Sequence, residues 1–411
     1  MNAVTLFKIA WRSLGRNRRR TAISVGAIGF SLALAVFFIA LGDGVYRALV
    51  DDAVRMHGGH LTVEDARYEA APAVDLRVEG VGALRARIAV LPGVERTKAM
   101  VLGQGVIQSG AGAVGAAVVG VEPEIERATS PLARRIVAGR YLAPADGARI
   151  VVGAKLAERL KVGVGDKLVI TTNDARGELT EELVRVAGIF QTGSDEADAY
   201  FSQVPIAFAR KLYGLGPDSA TRLAVVLADP RSIDRLLPAV RALAPAGTAV
   251  RTWQEVLPEL AAYIRIDRGS NFVFQAILVF LSLFTVFNTV TMAVLERTRE
   301  FAVQLALGAG RALVGEQVLI ESMLLGLLGC AAGLLLGGLA GYALQVHGLD
   351  MRHFYSGGVT VSGFAVEPII HAQVRADRLA SLGVVVFAAT VIVSLVPLLQ
   401  LRRIRIADVL R

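Results

Sequence analysis

The residues best suited to chemistry in this 411-residue chain are small clusters of imidazole and carboxylate. His57 and His60 stand three apart with Glu64 and Asp65 just beyond, a donor set a transition metal could use if one helix carried both imidazoles. Gly58 and Gly59 stop any such helix, so no metal centre is expected. Asp195, Glu196 and Asp198 offer oxygens, but calcium needs more ligands in a fixed loop order; a solvated turn is expected. The run from Gly110 to Gly115 has the form G-x-G-x-x-G. A dinucleotide site needs it between a strand and a helix, with an acidic residue about 20 positions on, whereas strand-like text flanks it here on both sides and predicts a hairpin. His347, His353 and His371 have no nucleophile motif beside them, and no G-x-x-x-x-G-K-[ST] phosphate loop occurs. No catalytic, cofactor-binding or metal-binding residue is assigned, and the chain is not expected to be an enzyme.

One further polar set has helical spacing. At 100° per residue, Arg297, Glu300, Gln304 and Arg311 fall in one stripe, and Val303, Ala306, Leu307, Gly310 and Val314 in another. An amphipathic helix is expected within 296–315, ending near Gly308 to Gly310. It is either a plain surface connector or a docking element for a partner.

Four apolar runs, at 21–43, 271–295, 317–346 and 379–399, must position these groups. A bilayer core of roughly 30 Å takes about 20 apolar residues per helical crossing. The first run is longer than the ~7–15-residue core of a signal peptide and is read as retained. Basic residues cluster before it (Lys8, Arg12, Arg16, Arg18, Arg19, Arg20), after the second run (Arg297, Arg299, Arg311) and after the fourth (Arg402, Arg403, Arg405, Arg411). Positive residues stay inside, so both termini are expected in the cytoplasm. The expected organisation is an amphipathic elbow helix at 1–20; crossings at 21–43, 269–295, 316–346 and 379–400; a large outer α+β domain with helical stalks at 44–268, inserted between the first two crossings; a cytoplasmic helix at 296–315; an outer loop at 347–378; and a cytoplasmic tail at 401–411.

In the elbow, Val4, Phe7, Trp11 and Leu14 recur at helical spacing beside a basic stripe. Trp11, Arg16, Arg18, Arg19 and Arg20 are the expected inner-leaflet anchors. The net charge of +8 collects around the crossings, which points to anionic lipid rather than nucleic acid. Cys330 is the one cysteine, so no internal disulfide forms. Gly326, Gly329, Gly333 and Gly337 mark a close-packing face, within one subunit or across a dimer. Glu321, an isolated charge in the third run, is expected either beside Arg311 or the headgroups, or setting the angle of the cytoplasmic helix. Between the stalks, alternating strand and helix text suits one or two α+β subdomains, with a boundary near 120–150.

ERTREFAVQLALGAGR followed by VLIESMLLGLLGCAAGLLLG resembles the core of FtsX-like permeases, the MacB and LolC/LolE group of type VII ABC transporters. WRSLGRNRRRTAISVGAIGFSLAL resembles their amino-terminal segment, and VVGAKLAERLKVGVGDKLVI, VRVAGIFQTG and Thr252-Trp253 resemble the LolC/LolE-type outer domain. The resemblance implies two permease subunits, as homodimer or heterodimer, and two copies of a cytoplasmic ATPase that binds ATP and magnesium. It implies that the 296–311 helix is the coupling helix, with Arg297, Glu300, Phe301, Gln304, Leu305, Gly308 and Arg311 facing the ATPase. Three roles follow: extraction of lipoproteins towards a periplasmic carrier, MacB-like transmission driving efflux through an outer-membrane partner, or FtsX-like activation of a cell-wall hydrolase. Where lipoprotein-releasing LolC has a longer proline-bearing hairpin that recruits the carrier, this chain has TTNDARGELTEE at 171–182. FtsX proteins have smaller outer domains.

Overall fold

A computed structural model describes residues 3–16, 18–350, 360–361, 364–365 and 369–401. His353 and the basic tail from Arg402 to Arg411 lie outside the described residues. The chain divides into two units. One comprises Met1–Tyr46, Arg265–Met351 and Ile369–Arg411, the other Arg47–Ile264 with Arg352–Pro368.

Among the described residues, four helices are long and apolar enough to cross a membrane: Arg18–His57, Pro258–Glu296, Arg311–His347 and Ala376–Pro397. The four apolar runs fall on them, the last continuing along the helix two residues past Pro397. Phe272, Phe280 and Phe284 stay well exposed along the second, as side chains facing hydrocarbon would. Glycine brings the first and third helices together. A Cβ on Gly333 would lie 2.7 Å from the Gly29 carbonyl oxygen, and one on Gly337 2.8 Å from that of Ala33. A Cβ on Gly329 would lie 2.6 Å from the side-chain Cβ of Ile28, and one on Gly326 2.9 Å from Thr390 Cγ2 of the fourth helix. Where the sequence left open subunit or dimer packing, these four glycines pack within the chain, helix backbone against helix.

The segment before the fourth helix is strapped across the first. Gln373 N donates to the Ala40 carbonyl at 2.7 Å and Val374 N to Gln345 Oε1 at 3.0 Å. Arg378 pairs with Asp43 at 2.9 Å. A Cβ on Gly44 would fall 1.9 Å from the His371 carbonyl oxygen, so this contact requires glycine.

The second unit is α+β. Strands Thr248–Thr252, Leu61–Asp65, Arg222–Leu227 and the first half of Val94–Ser109 lie in that order, all antiparallel. Helices Val81–Ala89 and Ile233–Leu243 complete a ferredoxin-like β-α-β-β-α-β arrangement. They bury Leu84, Ile88, Leu236 and Val240, at helical spacing, against Leu61, Val63, Leu223 and Val225. The second half of Val94–Ser109 leaves this sheet for another. It pairs with Gly112–Val121, which pairs with Phe201–Pro205, then Arg149–Gly153, Leu179–Phe190, Lys167–Asn173 and back to Val94–Ser109. These six strands close on themselves as a barrel, whose inward residues alternate, as Leu168, Ile170 and Thr172 do.

Several expectations change. The two parts do not divide near 120–150, because one strand serves both sheets: Met100 pairs with Arg222 on one side and Val101 with Gly120 on the other. The Thr221 hydroxyl spans the junction, accepting from Leu102 N at 2.8 Å and donating to the Met100 carbonyl at 3.1 Å. The helix from Trp253 does not run unbroken into the second crossing. Thr252 and Glu255 cap a single turn ending at Val256, and the long helix starts afresh at Pro258. Asp195–Tyr200 is a helix rather than a solvated turn. Its Asp198 is buried and accepts from Thr192 N at 2.8 Å and Thr192 Oγ1 at 2.7 Å, with burial raising its pKa. Gly110 and Ala111 are the tip of a hairpin, as their flanking text predicts.

Candidate coupling site

The short helix between the second and third crossings covers Thr298–Ala306. Gly308 ends it, with φ +92°: Ala309 N bonds the Gln304 carbonyl at 3.0 Å and Gly308 N that of Leu305 at 3.1 Å, the paired closure of a Schellman turn. Gly310 then opens the next helix, in which Arg311 is the first residue. Arg311 is therefore not on the same helix as Glu300 and Gln304, and Arg297 is a non-helical cap before it. The single stripe read from 100° spacing fails because the backbone turns twice within it.

Arg297 is the centre of a polar knot. Its Nη1 donates to Ser13 Oγ and to Glu321 Oε2, both at 2.9 Å, and its Nε donates to Glu300 Oε2 at 2.8 Å. Ser13 Oγ donates to Glu321 Oε1 at 2.9 Å. The guanidinium stands 5.2 Å over the Phe301 ring. Arg16 pairs with the other Glu300 oxygen at 2.8 Å. Together Arg297 and Arg16 hold the Glu300 carboxyl below its usual range. Arg20 reaches Glu296 at 2.8 Å and also bonds the Thr289 carbonyl. Arg297 and Glu321 are only 12% and 16% exposed, so their attraction is less screened than that of the surface pair Arg16–Glu300. A cavity of about 30 Å³ lies among Ser13, Thr21, Ser24, Thr289 and Glu321, room for a water or two among polar partners.

These contacts reassign the expected site residues. Phe301 is buried and Leu305 packs on the same cluster with Val290, Val294 and Val318, so neither faces outward. The exposed apolar residues are instead Val303 and Leu307, one turn apart, with Leu307 83% exposed. Gln304 is half-buried. Arg16 and Arg20, expected as lipid anchors, bind carboxylates, whereas Trp11, Arg18 and Arg19 remain exposed. The Ala3–Arg16 helix buries Leu6, Ala10 and Leu14 rather than Phe7 and Trp11; Ala10 and Leu14 pack near Leu324 and Leu325.

Elsewhere, among the described residues, no three His, Cys, Asp or Glu side chains are placed to hold a metal ion. His60 is buried, its Nδ1 accepting from Leu227 N at 3.1 Å. His347 and His371 bond the carbonyls of Ala343 and Gln345. Two buried charge sets in the α+β unit have no local signature in the chain. Glu64 bridges Arg222 at 2.7 Å and Arg251 at 3.0 Å. Lys98 pairs with Glu126 at 2.9 Å and bonds the Arg55 carbonyl.

Among the described residues the chain thus combines four helices long and apolar enough to cross a membrane, a charge-tied connector and a barrel-bearing α+β unit. The MacB-like periplasmic core domain family matches residues 21–243, and the FtsX-like permease C-terminal family matches 272–408. The chain belongs to this MacB/FtsX class of ABC transporter permeases. It is similar to the lipoprotein-releasing system transmembrane protein LolE of Haemophilus influenzae, at 22% identity over 345 residues and 81% of each chain. It is also similar to LolC of Neisseria meningitidis serogroup B, at 27% over 233 residues, covering 54% of this chain and 55% of that one. Among solved structures, the periplasmic region of MacB from Actinobacillus actinomycetemcomitans aligns with a TM-score of 0.34 and 11% identity, over 48% of this chain and 91% of that one.

Proposed function

We propose that this permease is a multi-pass inner-membrane subunit with both termini cytoplasmic and the α+β unit periplasmic, inserted between the first two crossings. It transmits ATP-driven movement from a separate ATPase, present in two copies and binding ATP and magnesium, to that unit. A second permease subunit completes the assembly. The cargo is lipoprotein extracted from the membrane and passed to a periplasmic carrier, in keeping with the names of its LolE and LolC relatives.

The observation that carries the coupling role is the connector helix itself: anchored by Phe301, Ala302 and Arg297 on one side, it leaves Val303 and Leu307 bare on the other. Two apolar side chains one turn apart, Val303 on the nine-residue helix and Leu307 at its C-cap, fit a groove in a partner better than they fit water. In a full-length chain co-expressed with the matching ABC ATPase, Leu307→Asp is expected to abolish co-purification while membrane insertion persists. Undiminished co-purification removes the docking role. Photo-crosslinking from the α+β unit in intact cells is expected to trap lipoproteins, and recovery of a cell-wall hydrolase alone overturns that cargo.

A further inference from the structure

The connector helix has little to hold its own angle. It spans nine residues, too few for a helix to be stable alone, and Arg297 and Gly308 break the backbone on either side of it. Its orientation is fixed by Phe301 below and by side-chain bonds, and those bonds run to a segment almost 300 positions away. Ser13 meets Arg297 at 2.9 Å and Arg16 meets Glu300 at 2.8 Å, two ties one turn apart on the amino-terminal helix. That helix is itself seated on the third crossing through Ala10 and Leu14 against Leu324 and Leu325. Glu321 of the third crossing closes the triangle, taking one bond from Ser13 and one from Arg297.

We infer that the amino-terminal helix sets the connector for its ATPase, with Ser13 and Arg16 as positioning residues and Glu321 as the point where connector movement enters the third crossing. This rests on the docking role proposed above. A helix read from sequence as a lipid anchor thereby becomes half of a two-helix platform: Phe7 and Trp11 remain free for lipid, and the adjoining Ser13 and Arg16 face the connector. The arrangement has a directional consequence. A displacement of the connector carries its cap residue Arg297 with it and pulls on the bonds to both Ser13 and Glu321, so the amino-terminal helix and the third crossing must follow it or release it together.

The test is a double-mutant cycle in the full chain, co-expressed with the matching ABC ATPase and reconstituted in nanodiscs. Arg16→Ala and Glu300→Gln are each expected to lower permease-stimulated ATP hydrolysis about fivefold, and the double variant to lose no more than the worse single, because both act through one bond. Ser13→Ala and Glu321→Gln are expected to lower stimulation similarly while the affinity for the ATPase stays within twofold. Stimulation within twofold of the parent in all four single variants overturns the positioning role, and so does an Arg16–Glu300 double variant in which the two losses multiply. Leu307→Asp runs alongside: if it binds the ATPase normally the docking reading fails, whereas lost binding with unaffected positioning variants sinks only the present inference.

Discussion

Lys98 Nζ lies 2.9 Å from Glu126 Oε2 with the two side chains 2% and 1% exposed, an ion pair sealed inside the α+β unit. The same ammonium bonds the Arg55 carbonyl near the end of the helix Arg18–His57, and Gln203 donates to the other Glu126 oxygen at 3.4 Å. Removing one partner leaves a buried charge uncompensated. Lys98→Ala is expected to cost about 3–5 kcal/mol, and the paired exchange Lys98→Met with Glu126→Leu clearly less. Denaturant unfolding of the full chain in detergent checks this; equal losses in the two variants would show that the pair is not coupled.

The glycine row of the third helix makes a graded prediction. Gly333→Leu places bulk where even a Cβ stands 2.7 Å from the Gly29 carbonyl, so the first and third helices must part. A loss of about 1–3 kcal/mol or more is expected, seen as a lower melting temperature in detergent. Gly338→Ala, whose nearest neighbour is Leu379 at 3.6 Å, is expected to behave as the parent. Equal sensitivity at both positions would contradict the packing described.

The strap beside Gly44 can be released by one methyl group. Gly44→Ala sets a carbon 1.9 Å from the His371 carbonyl oxygen, and the Gln373–Ala40 bond is expected to break as the segment lifts. In a chain carrying Gln373→Cys, the rate of maleimide labelling is the readout. A rise of about tenfold is expected, the equivalent of ~1.4 kcal/mol of lost closure; an unchanged rate shows the segment held by other means.

His60 gives the α+β unit a defined acid sensitivity. Burial is the main cause that lowers its imidazole from an ordinary 6.5 to about 4, while Asp51 and Asp229 pull upward and Arg55 pulls downward. The unfolded chain takes up this proton near pH 6.5 and the folded chain resists it to about pH 4, so stability is full above 6.5 and declines as pH falls between those values. The loss amounts to up to about 3 kcal/mol. Unfolding between pH 7.5 and 4.5 is expected to show this slope together with an equal one from His57, which burial also lowers to about 4, and His60→Gln to remove about half of the total. A variant with the parent's slope would assign the sensitivity elsewhere.

What the sequence discloses follows from how local each signal is. The long helices are legible because an apolar run writes its own length, and the end of the connector is legible in Gly308. The outward side of the connector is not. Phe301, Val303, Leu305 and Leu307 are all apolar within two turns, and only tertiary placement decides that Phe301 turns in and Leu307 turns out. Arg16 illustrates the same limit: six basic residues before a membrane helix look alike until Glu300, 284 positions on, selects one. The barrel was hidden for the opposite reason. Its strands alternate plainly enough, but closure needs Val94–Ser109 to meet Lys167–Asn173, a pairing that no local pattern encodes.

The shared strand also says how such a head can change over time. Because Met100 and Arg222 are paired neighbours on antiparallel strands, residues 101–221 leave and re-enter the ferredoxin-like sheet at a single doorway held by Thr221. A two-residue turn could rejoin the doorposts. The barrel is thus an insertion whose far hairpins, at Gly110–Ala111 and between Lys167–Asn173 and Leu179–Phe190, can diverge or lengthen while the six elements of the sheet stay as they are. The seam cannot drift so freely, because Lys98 on one side and Glu126 on the other must change together.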